Sequence, residues 1–300
     1  MQQQSLRLPS PAKLNLFLHI LGRRSDGYHE LQTLFQLLDL ADTVQLIATD
    51  DARIMLDGSL PGVDDDDHLA VRAARLLQET ASSSLGATIA VDKHLPMGGG
   101  LGGGSSNAAT VLLGLNHLWN LNYPLDQLAD LGRSLGADVP VFVRGHSCFA
   151  EGIGERCSDV ELPDSWYLIV RPDCAVATAA VFGHPNLTRD TLAIRIPAAL
   201  NSGSSDKRQL GRFFLDQDGK NDCQPVVSSE YHAVEQALEW LGQYADAKLT
   251  GTGSCIFASL PSRQSAEQIL GQMPSHYRGW IARGTNRSTA HDVLRSETGL

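Results

Sequence analysis

The sequence predicts an α+β protein of two domains. Its 300 residues are about twice the length of an average domain. Apolar residues make up 42% of the chain and charged residues 19%, so packed cores can form and disorder is excluded as the dominant state. Segments with strand-like alternation are mixed with segments of helical periodicity, and a β-helix-β spacing in the second half suits a small α+β sandwich. We expect the domains to comprise residues 1–158 and 159–300.

Charge and cysteine content narrow the classes of function. The chain has 24 Lys and Arg against 34 Asp and Glu, a net charge of −10, so it lacks the broad basic surface that nucleic-acid binding requires. No segment reaches the roughly 18 apolar residues of a membrane span, and the polar start MQQQ is not a signal peptide. The cysteines form no C-x-x-C pair and are expected to be buried thiols in a reducing cytoplasm. They are Cys148, Cys157, Cys174, Cys223 and Cys255.

The first predicted strand covers residues 13–20, where KLNLFLHI alternates between two faces. Leucine and isoleucine form one face of this strand. The opposite face consists of Lys13, Asn15, Phe17 and His19. A turn at 25–27 then leads into an apolar run that ends at Leu40. Further strands are predicted near 43–48 and 53–57.

The rest of the first half alternates between helices and short strands. The acidic run 64–67 is interpreted as a solvated helix start, because four adjacent carboxylates repel each other and favour water over a metal site. Pro124 is expected to open a later helix and Gly136 to end it. The remaining predictions are a helix from residue 69, a strand at 88–93, a helix after a glycine cluster at 98–104, and strands at 139–143 and 147–150.

The second half begins with a predicted strand at Trp166. Residues 201–222 are polar and rich in glycine and serine, so they are expected to form a long surface excursion, and we assign them no role. The other predicted elements are a helix at 229–243, a glycine turn at 251–253, a strand at 255–259, a helix at 264–272 and a strand at 280–282.

A glycine loop is the strongest chemical signal in the chain. Residues 96–107 are PMGGGLGGGSSN, directly after a strand and before a helix. Each glycine costs about 0.5–1 kcal/mol of ordering entropy, so six in seven positions need a reason. A flexible linker is the alternative, but linkers separate domains, whereas this segment joins two patterned elements. The favoured interpretation is a phosphate cradle of backbone N–H groups, in which a side chain at Gly100 would occupy the place of the phosphate.

Two common phosphate-binding motifs do not fit the loop. A Rossmann site needs an acidic residue about 20 positions later, at the end of the next strand, and here Tyr123 and Pro124 lead into a helix. A Walker A loop needs lysine before the Ser or Thr, and Gly104 stands in that place.

PMGGGLGGGSSNAA resembles the phosphate-binding motif of the GHMP kinases, which include galactokinase, homoserine kinase and mevalonate kinase. PAKLNLFL and LTGTGSCIFAS support the resemblance in the right order. Longer segments (SPAKLNLFLHILGRRSDGYHELQTLFQLLDLAD, LPMGGGLGGGSSNAATVLLGLN and GADVPVFVRG) are similar to the members of the non-mevalonate isoprenoid pathway that phosphorylate a cytidine-diphosphate-linked methylerythritol. The resemblance covers nearly all of residues 8–290. It implies a ribosomal-protein-S5-domain-2-like first domain, a ferredoxin-like second domain, and ATP- and Mg²⁺-dependent transfer to the 2-hydroxyl group.

The resemblance implies that Asp138 is the base that accepts the proton of the substrate hydroxyl. This residue lies after the Gly136 helix stop and before a predicted strand, where the alternative is a turn-forming or capping aspartate. Lys13 lies on the polar face of its strand, where a lysine is costly unless it is paired. Pairing with Asp138 and the transferred phosphoryl group is the favoured explanation, and a solvated lysine is the alternative.

The ATP site is expected to comprise the glycine loop and its neighbours. Lys93 is equally compatible with a role at the nucleotide phosphates and with a position facing water. Either Ser105 or Ser106 is a candidate ligand for Mg²⁺, and the sequence does not choose between them. The full predicted set is Lys93, Pro96, Met97, Gly98, Gly99, Gly100, Leu101, Gly102, Gly103, Gly104, Ser105 and Ser106.

For the acceptor, the resemblance implies that Tyr28 and His29 recognise the cytidine while Phe182 stacks from the opposite side. The alternatives are a surface turn for the first two residues and ordinary packing for Phe182. Asn15 and Thr178 are candidate hydrogen-bonding groups for the erythritol portion or the phosphates. The family often has proline after the position of Thr178, and Ala179 stands there in this chain.

Two other functions remain in competition with this one. Another GHMP kinase, acting on mevalonate or homoserine, would not need Tyr28, His29 or Phe182. A nucleotide-binding regulator without turnover would be free to lose Lys13 or Asp138, and this chain has both as well as the loop. The sequence therefore favours the enzyme and leaves its oligomeric state open.

Overall fold

Two long antiparallel strands organise the protein. The computed structural model describes residues 4–59, 64–200, 206–217 and 219–298. Its strands are β1 (Ser5–Arg23), β2 (His29–Thr49), β3 (Ile54–Asp57), β4 (Gly86–Asp92), β5 (Cys148–Gly152), β6 (Arg156–Asp159), β7 (Trp166–Arg171), β8 (Ala247–Leu249), β9 (Ile256–Leu260) and β10 (Arg278–Thr285). Its α-helices are α1 (Leu69–Ala81), α2 (Gly103–Leu118), α3 (Leu125–Arg133), α4 (Val139–Arg144), α5 (Thr178–Gly183), α6 (Lys207–Leu215), α7 (Gln224–Glu230), α8 (His232–Gly242), α9 (Arg263–Leu270) and α10 (Thr289–Thr298).

Strand β2 connects the two halves of the molecule into one sheet. It pairs with β1 along its whole length, with β4 near its carboxyl end and with β5 near its amino end. Between those partners, Leu37 and Leu38 pair with Thr285 and Gly284 of β10. From β10 the sheet continues through β7 and β9 to β8, all antiparallel. The second half of the chain is therefore joined to the first by strand pairing, and the division at 158 and 159 stays a prediction.

The first core lies between helices α1–α4 and the β1–β4 sheet. Leu8, Leu46 and Leu112 are fully buried there. The helix predicted after the glycine cluster, α2, is buried on nearly every side between α1, α4 and the sheet. A helix that is apolar all round is typical of such a central position.

Helix α6 corrects the expectation that residues 201–222 form a surface excursion. Leu210 and Phe214 of this helix are buried, and the Phe214 ring stacks on Phe149 with centroids 4.0 Å apart. Residues 201–205 and 218 lie outside the described residues. The sequence did not indicate this nine-residue amphipathic helix, because its short apolar run Phe213–Leu215 lies in a serine- and glycine-rich segment and shows no helical periodicity.

Three other boundaries differ from the sequence prediction. Residues 139–143 belong to helix α4 and not to a strand, because a short apolar run has no distinguishing period and Pro140 suits the first turn of a helix. The single helix predicted at 229–243 is two helices, α7 and α8, which meet at Tyr231. The helix opened by Pro124 ends at Arg133, before Gly136.

All five cysteines are free thiols, and three are buried as expected: Cys148, Cys223 and Cys255. Burial raises the pKa of both Cys223 and Cys255 to about 12, so neither thiol is reactive at neutral pH. The prediction is wrong in detail for Cys157 and Cys174, which are half-buried. Within the described part of the chain, no helix is both long and apolar enough to cross a membrane.

Candidate active site

A cavity of about 1020 Å³ lies where the glycine loop, β1 and α5 meet. It is bounded by the β1–β2 turn, the residues before α4 and the glycine turn at 251–253. Every predicted site residue except Ser106 lines it. The structure thus brings together segments from both halves of the chain, which the sequence predicted separately.

Lys13 lies at an irregularity of β1 and has its ammonium group inside the protein, with 3% of the residue exposed. Its Nζ donates to Asn15 Oδ1 at 2.5 Å and to the Gly100 carbonyl at 3.0 Å, and it forms an ion pair with Asp138 Oδ2 at 3.2 Å. It also lies 5.3 Å from the centroid of the Phe35 ring. Three acceptors match the three donors of an ammonium group, so the solvated alternative is wrong.

Asp138 immediately precedes α4, yet its side chain makes no capping hydrogen bond to that helix. The capping alternative is therefore wrong. The carboxylate is turned to Lys13, and its side chain is 32% exposed where it borders the cavity. A carboxylate that is held by one cation and still accessible can accept a proton from a bound alcohol.

The glycine loop is fastened to the protein through its carbonyl groups. The backbone N–H groups of Ser254 and Cys255 donate to Gly98 and Gly99, and that of Lys13 donates to Leu101. The first N–H groups of α2, which follow the loop, have no acceptor within the helix. Carbonyls directed into the protein and unpaired N–H groups at the helix start suit an anion.

Gly98 and Gly100 both have positive φ angles, at 66° and 77°, which side chains rarely adopt. A Cβ on Gly100 would lie 2.2 Å from the carbonyl oxygen of Thr250. A Cβ on Gly98 would meet no atom within 4 Å. The expectation that a side chain at Gly100 fills the place of a phosphate is therefore wrong, since the backbone of the 250–253 turn is what it would strike.

Beneath the loop lies a buried polar network that the sequence analysis missed. Lys93 pairs with the fully buried Asp42 and donates to Asn107 Oδ1 at 3.1 Å, so the water-facing alternative for this lysine is wrong. The other carboxylate oxygen of Asp42 accepts the backbone N–H groups of His94 and Leu95, both at 2.8 Å. The signal was available, since Asp42 lies between the apolar run that ends at Leu40 and the predicted strand 43–48, where a carboxylate needs a buried partner.

The two candidate magnesium ligands occupy different surroundings. Ser106 is fully buried and its Oγ accepts a hydrogen bond from Ser10 Oγ at 2.9 Å. Ser105 is half-buried and lines the cavity. Of these two serines, Ser105 is the one whose hydroxyl group is accessible to a ligand in the cavity.

At the acceptor end of the cavity, His29 and Phe182 stack directly on each other, with ring centroids 5.1 Å apart and 29° between the planes. Tyr28 is 60% exposed at the rim. Burial, together with the charges of Arg189 and Arg23, lowers the pKa of His29, so its imidazole is neutral around pH 7. The sequence analysis did not identify Arg189, whose Nε donates to His29 Nε2 at 3.1 Å.

Asn15 and Thr178 line the cavity but are bonded to protein groups. The Asn15 amide accepts from Lys13 and donates to Thr33 Oγ1 at 2.8 Å. Thr178 opens α5 and shares a 2.9 Å hydrogen bond with the Thr252 hydroxyl. Ala179, whose effect on this segment the sequence left open, continues the first turn of α5. Asn15 therefore orients Lys13, and Thr178 joins α5 to the glycine turn.

Asn221 is a second residue that sequence reasoning missed. It lies in the segment 201–222, to which the sequence assigned no role. Its Nδ2 donates to the carbonyl groups of Leu249 and Gly251, both at 2.8 Å. It thereby holds the turn that contacts Gly100, although nothing in the local sequence marks an asparagine for that task.

Both halves of the chain are similar to known proteins. Residues 68–146 match the family model of the GHMP kinases N terminal domain, and residues 199–279 match that of the GHMP kinases C terminal domain. The chain is 50% identical over 291 residues to a 4-diphosphocytidyl-2-C-methyl-D-erythritol kinase of Pseudomonas paraeruginosa, covering 97% of this chain and 98% of the relative. It is 52% identical to the kinase of the same name from Chromohalobacter salexigens, covering 97% and 95%.

The structure is also similar to solved structures of kinases. A crystal structure of 4-(cytidine 5'-diphospho)-2C-methyl-D-erythritol kinase superposes with a TM-score of 0.76 at 29% identity, covering 93% of this chain and 99% of that one. The mevalonate kinase of Methanococcus jannaschii superposes with a TM-score of 0.64 at 15% identity, covering 95% and 99%. The second likeness concerns the fold alone.

Proposed function

The chain belongs to the GHMP kinase family, among its 4-diphosphocytidyl-2-C-methyl-D-erythritol kinases, and from this premise we propose how its residues perform the reaction. The activity is transfer of a phosphoryl group from ATP to the 2-hydroxyl group of 4-diphosphocytidyl-2-C-methyl-D-erythritol, a step in the formation of isoprenoid precursors. The observation that supports our assignment of roles is the Lys13–Asp138 pair, which lies against the carbonyl of Gly100 in the glycine loop.

In our proposal, Asp138 accepts the proton of the attacking 2-hydroxyl group. Lys13 donates to the oxygens of the transferred phosphoryl group and balances the charge that develops there. The ammonium group has three acceptors already, so it must release one to make this contact. The ion pair with Asp138, at 3.2 Å, is the longest of the three and is the one we expect to be exchanged. The Asn15 and Gly100 contacts keep the ammonium group in place meanwhile.

ATP is the phosphoryl donor, and we propose that its phosphates lie on the glycine loop and the start of α2. Lys93 contributes positive charge at the edge of this site, held by Asp42. The residues present fit Mg²⁺, because the Ser105 hydroxyl and the Asp138 carboxylate offer the oxygen donors that this ion prefers. Among the described residues, no three His, Cys, Asp or Glu side chains cluster to hold a metal alone. When bound, the ion neutralises phosphate charge.

For the acceptor, we propose that the cytosine ring lies between Tyr28 and Phe182, with His29 at its edge. Centroids 5.1 Å apart leave no room for a third ring between His29 and Phe182, whereas the exposed Tyr28 side chain is able to fold over a base. We also place the reaction in the cytoplasm, since all five cysteines are free.

The test incubates the protein with ATP and Mg²⁺ and one acceptor at a time, followed by mass measurement of the product. The acceptors are 4-diphosphocytidyl-2-C-methyl-D-erythritol, 2-C-methyl-D-erythritol 4-phosphate, mevalonate and homoserine. We expect efficient phosphorylation of the first only. Loss of the cytidyl group should lower kcat/KM by at least about 100-fold, because stacking and base-edge hydrogen bonds each contribute about 1–3 kcal/mol.

Asp138→Asn serves as the control for contaminating kinase activity. Equal turnover of the free methylerythritol phosphate would contradict the cytosine site. Preferred turnover of mevalonate or homoserine would identify a different GHMP kinase, and nucleotide binding without any turnover would identify a regulator.

A further inference from the structure

Arg189 uses nearly all its hydrogen-bond donors at the acceptor end of the cavity. This half-buried residue lies in the segment after α5. Its Nη2 donates to the carbonyl groups of Phe182 and His184, both at 2.8 Å, and its Nη1 donates to the carbonyl of Leu187 at 3.0 Å. Its Nε donates to His29 Nε2 at 3.1 Å. One guanidinium group thus joins the end of α5 to the first residue of β2.

The contact with Arg189 determines which nitrogen of His29 carries the proton. A guanidinium group has only donors and does not deprotonate in proteins. His29 Nε2 must therefore present its lone pair, which leaves the single proton of the neutral ring on Nδ1. The tautomer follows from the chemistry of the partner, independently of any bound ligand.

We propose that Arg189 is a positioning residue for acceptor recognition, which fixes His29 as the neutral Nδ1–H tautomer and holds the Phe182 backbone so that the two rings stay in register. It does not touch the reacting atoms. Naming the ligand as a cytidyl group depends on the proposed function, whereas the tautomer and the fixed α5 end do not. A protonated His29 would direct an N–H group at the guanidinium, so acceptor binding should require the neutral ring.

The charged groups around His29 support this assignment. Arg189 approaches from the segment after α5, and Arg23 pairs with His29 across the β1–β2 ladder. Both are positive and both disfavour the imidazolium form. Of the neighbouring acidic groups, Glu30 pairs with Arg24 and Arg156, and Glu230 pairs with His184.

The first experiment reads the tautomer and pKa of His29 in the full-length protein by ¹H–¹⁵N correlation NMR of histidine ring nitrogens, with His29→Gln to assign the signal. In the wild type we expect Nδ1 protonated and Nε2 unprotonated at neutral pH, with titration below the ordinary histidine range. Arg189→Gln removes one of the two positive charges beside His29, so His29 should titrate at higher pH and populate both tautomers. This measurement needs no substrate.

The second experiment is kinetic and compares Arg189→Gln and Arg189→Lys with Arg195→Gln, an exposed arginine of the same segment. Arg189→Gln should raise the KM for the cytidyl acceptor about tenfold or more, with kcat and the KM for ATP nearly unchanged. The acid limb of its kcat/KM profile should move to higher pH. Arg189→Lys keeps the positive charge but loses the planar set of guanidinium donors. It should therefore keep the pH profile and still raise the KM for the cytidyl acceptor. Arg195→Gln should resemble the wild type.

A wild-type His29 protonated on Nε2 would overturn the proposal without recourse to any variant, so it remains testable even if Arg189→Gln does not fold. An unchanged acceptor KM in a folded Arg189→Gln protein would overturn it as well. Failure of the proposed function would look different, because the wild type itself would then not phosphorylate the cytidyl acceptor.

Discussion

Lys13 and Asp138 show how a residue's surroundings determine its chemistry. The lysine is buried and its three donors are satisfied, and the aspartate is partly open to the cavity. Because the ammonium group keeps its contacts with Asn15 and Gly100 when the Asp138 contact is exchanged, it reaches the transition state with little reorientation. The environment that makes Lys13 unusual as a strand residue also makes it suited to phosphoryl transfer.

Removal of either charge should lower kcat while leaving the glycine loop in place. Asp138→Asn keeps the size of the side chain and removes the proton acceptor, so we expect kcat to fall by about 10²–10⁴-fold, with little change in the affinity for ATP. Lys13→Met should also lower kcat, and the double variant should lose less than the product of the two single losses. Steady-state kinetics and nucleotide titration measure both effects. Asp138→Asn with more than about a tenth of the wild-type kcat would limit Asp138 to positioning.

Substitution of Asp42 tests how much the buried network beneath the glycine loop contributes to stability. Asp42→Asn leaves the Lys93 ammonium group without its counter-ion in a largely buried place, so we expect a loss of about 3–5 kcal/mol in the free energy of unfolding. The matched variant Asp42→Asn with Lys93→Met removes both charges and should recover part of that loss. Urea denaturation of the two variants measures the difference. Equal stability of the single and double variants would mean that the unpaired Lys93 charge is not what destabilises Asp42→Asn.

The conformation of the glycine loop depends on contacts with the backbone of neighbouring segments. Its carbonyls are taken by β1 and by the residues after the 250–253 turn, and Gly100 packs on Thr250. Glycine is required there by close approach, and at Gly98 by the φ angle alone. The two positions therefore separate conformational strain from steric collision.

Gly100→Ala and Gly98→Ala form a matched pair of substitutions. Both place a side chain at positive φ, at a cost of about 1–2 kcal/mol. Only the first meets the Thr250 carbonyl oxygen, so it should lower the melting temperature clearly more than the second. Differential scanning calorimetry measures the two melting temperatures, and ATP titration measures binding. Equal melting temperatures would show that the turn yields to the added methyl group.

Helices α4 and α6 show the limits of element prediction. The run VPVFV has no period that separates a strand from a buried helix, and packing against α2 and α3 decides for the helix. In α6, Leu210 and Phe214 are core residues because Phe149, from a distant part of the chain, packs against Phe214. Both elements were misassigned since their burial depends on distant partners.

At the scale of the whole molecule, β2 makes the two halves one structure. Its Gln36 side chain is buried and donates to Ser147 Oγ at 3.1 Å and to the carbonyl of Thr285 at 2.9 Å, beside the β2–β10 pairing. Helix α10, from the carboxyl end of the chain, packs against β1. The cavity lies between these joined parts, so its shape depends on both.

Thermal unfolding of the protein should consequently be one cooperative transition. Proteins of this length often unfold domain by domain. Here, separation of the two halves would break a continuous sheet and expose the buried side-chain amide of Gln36. Calorimetry should give equal calorimetric and van't Hoff enthalpies, and circular dichroism should follow the same curve. Two resolved transitions would show that the halves are independent.

The sequence by itself determined the family, the glycine loop, and the identities of Lys13 and Asp138. These follow from residue types at fixed local spacing, which survive without knowledge of the fold. Only the tertiary structure decided which partners three side chains contact. Lys93 pairs with Asp42, Arg189 donates to His29, and Asn221 donates to the carbonyl of Gly251. The first two partners are 51 and 160 residues apart in the chain, and the third 30 apart. Side-chain hydrogen bonds at such separations depend on how strands and helices pack, and packing leaves no periodic pattern in the sequence around the partners.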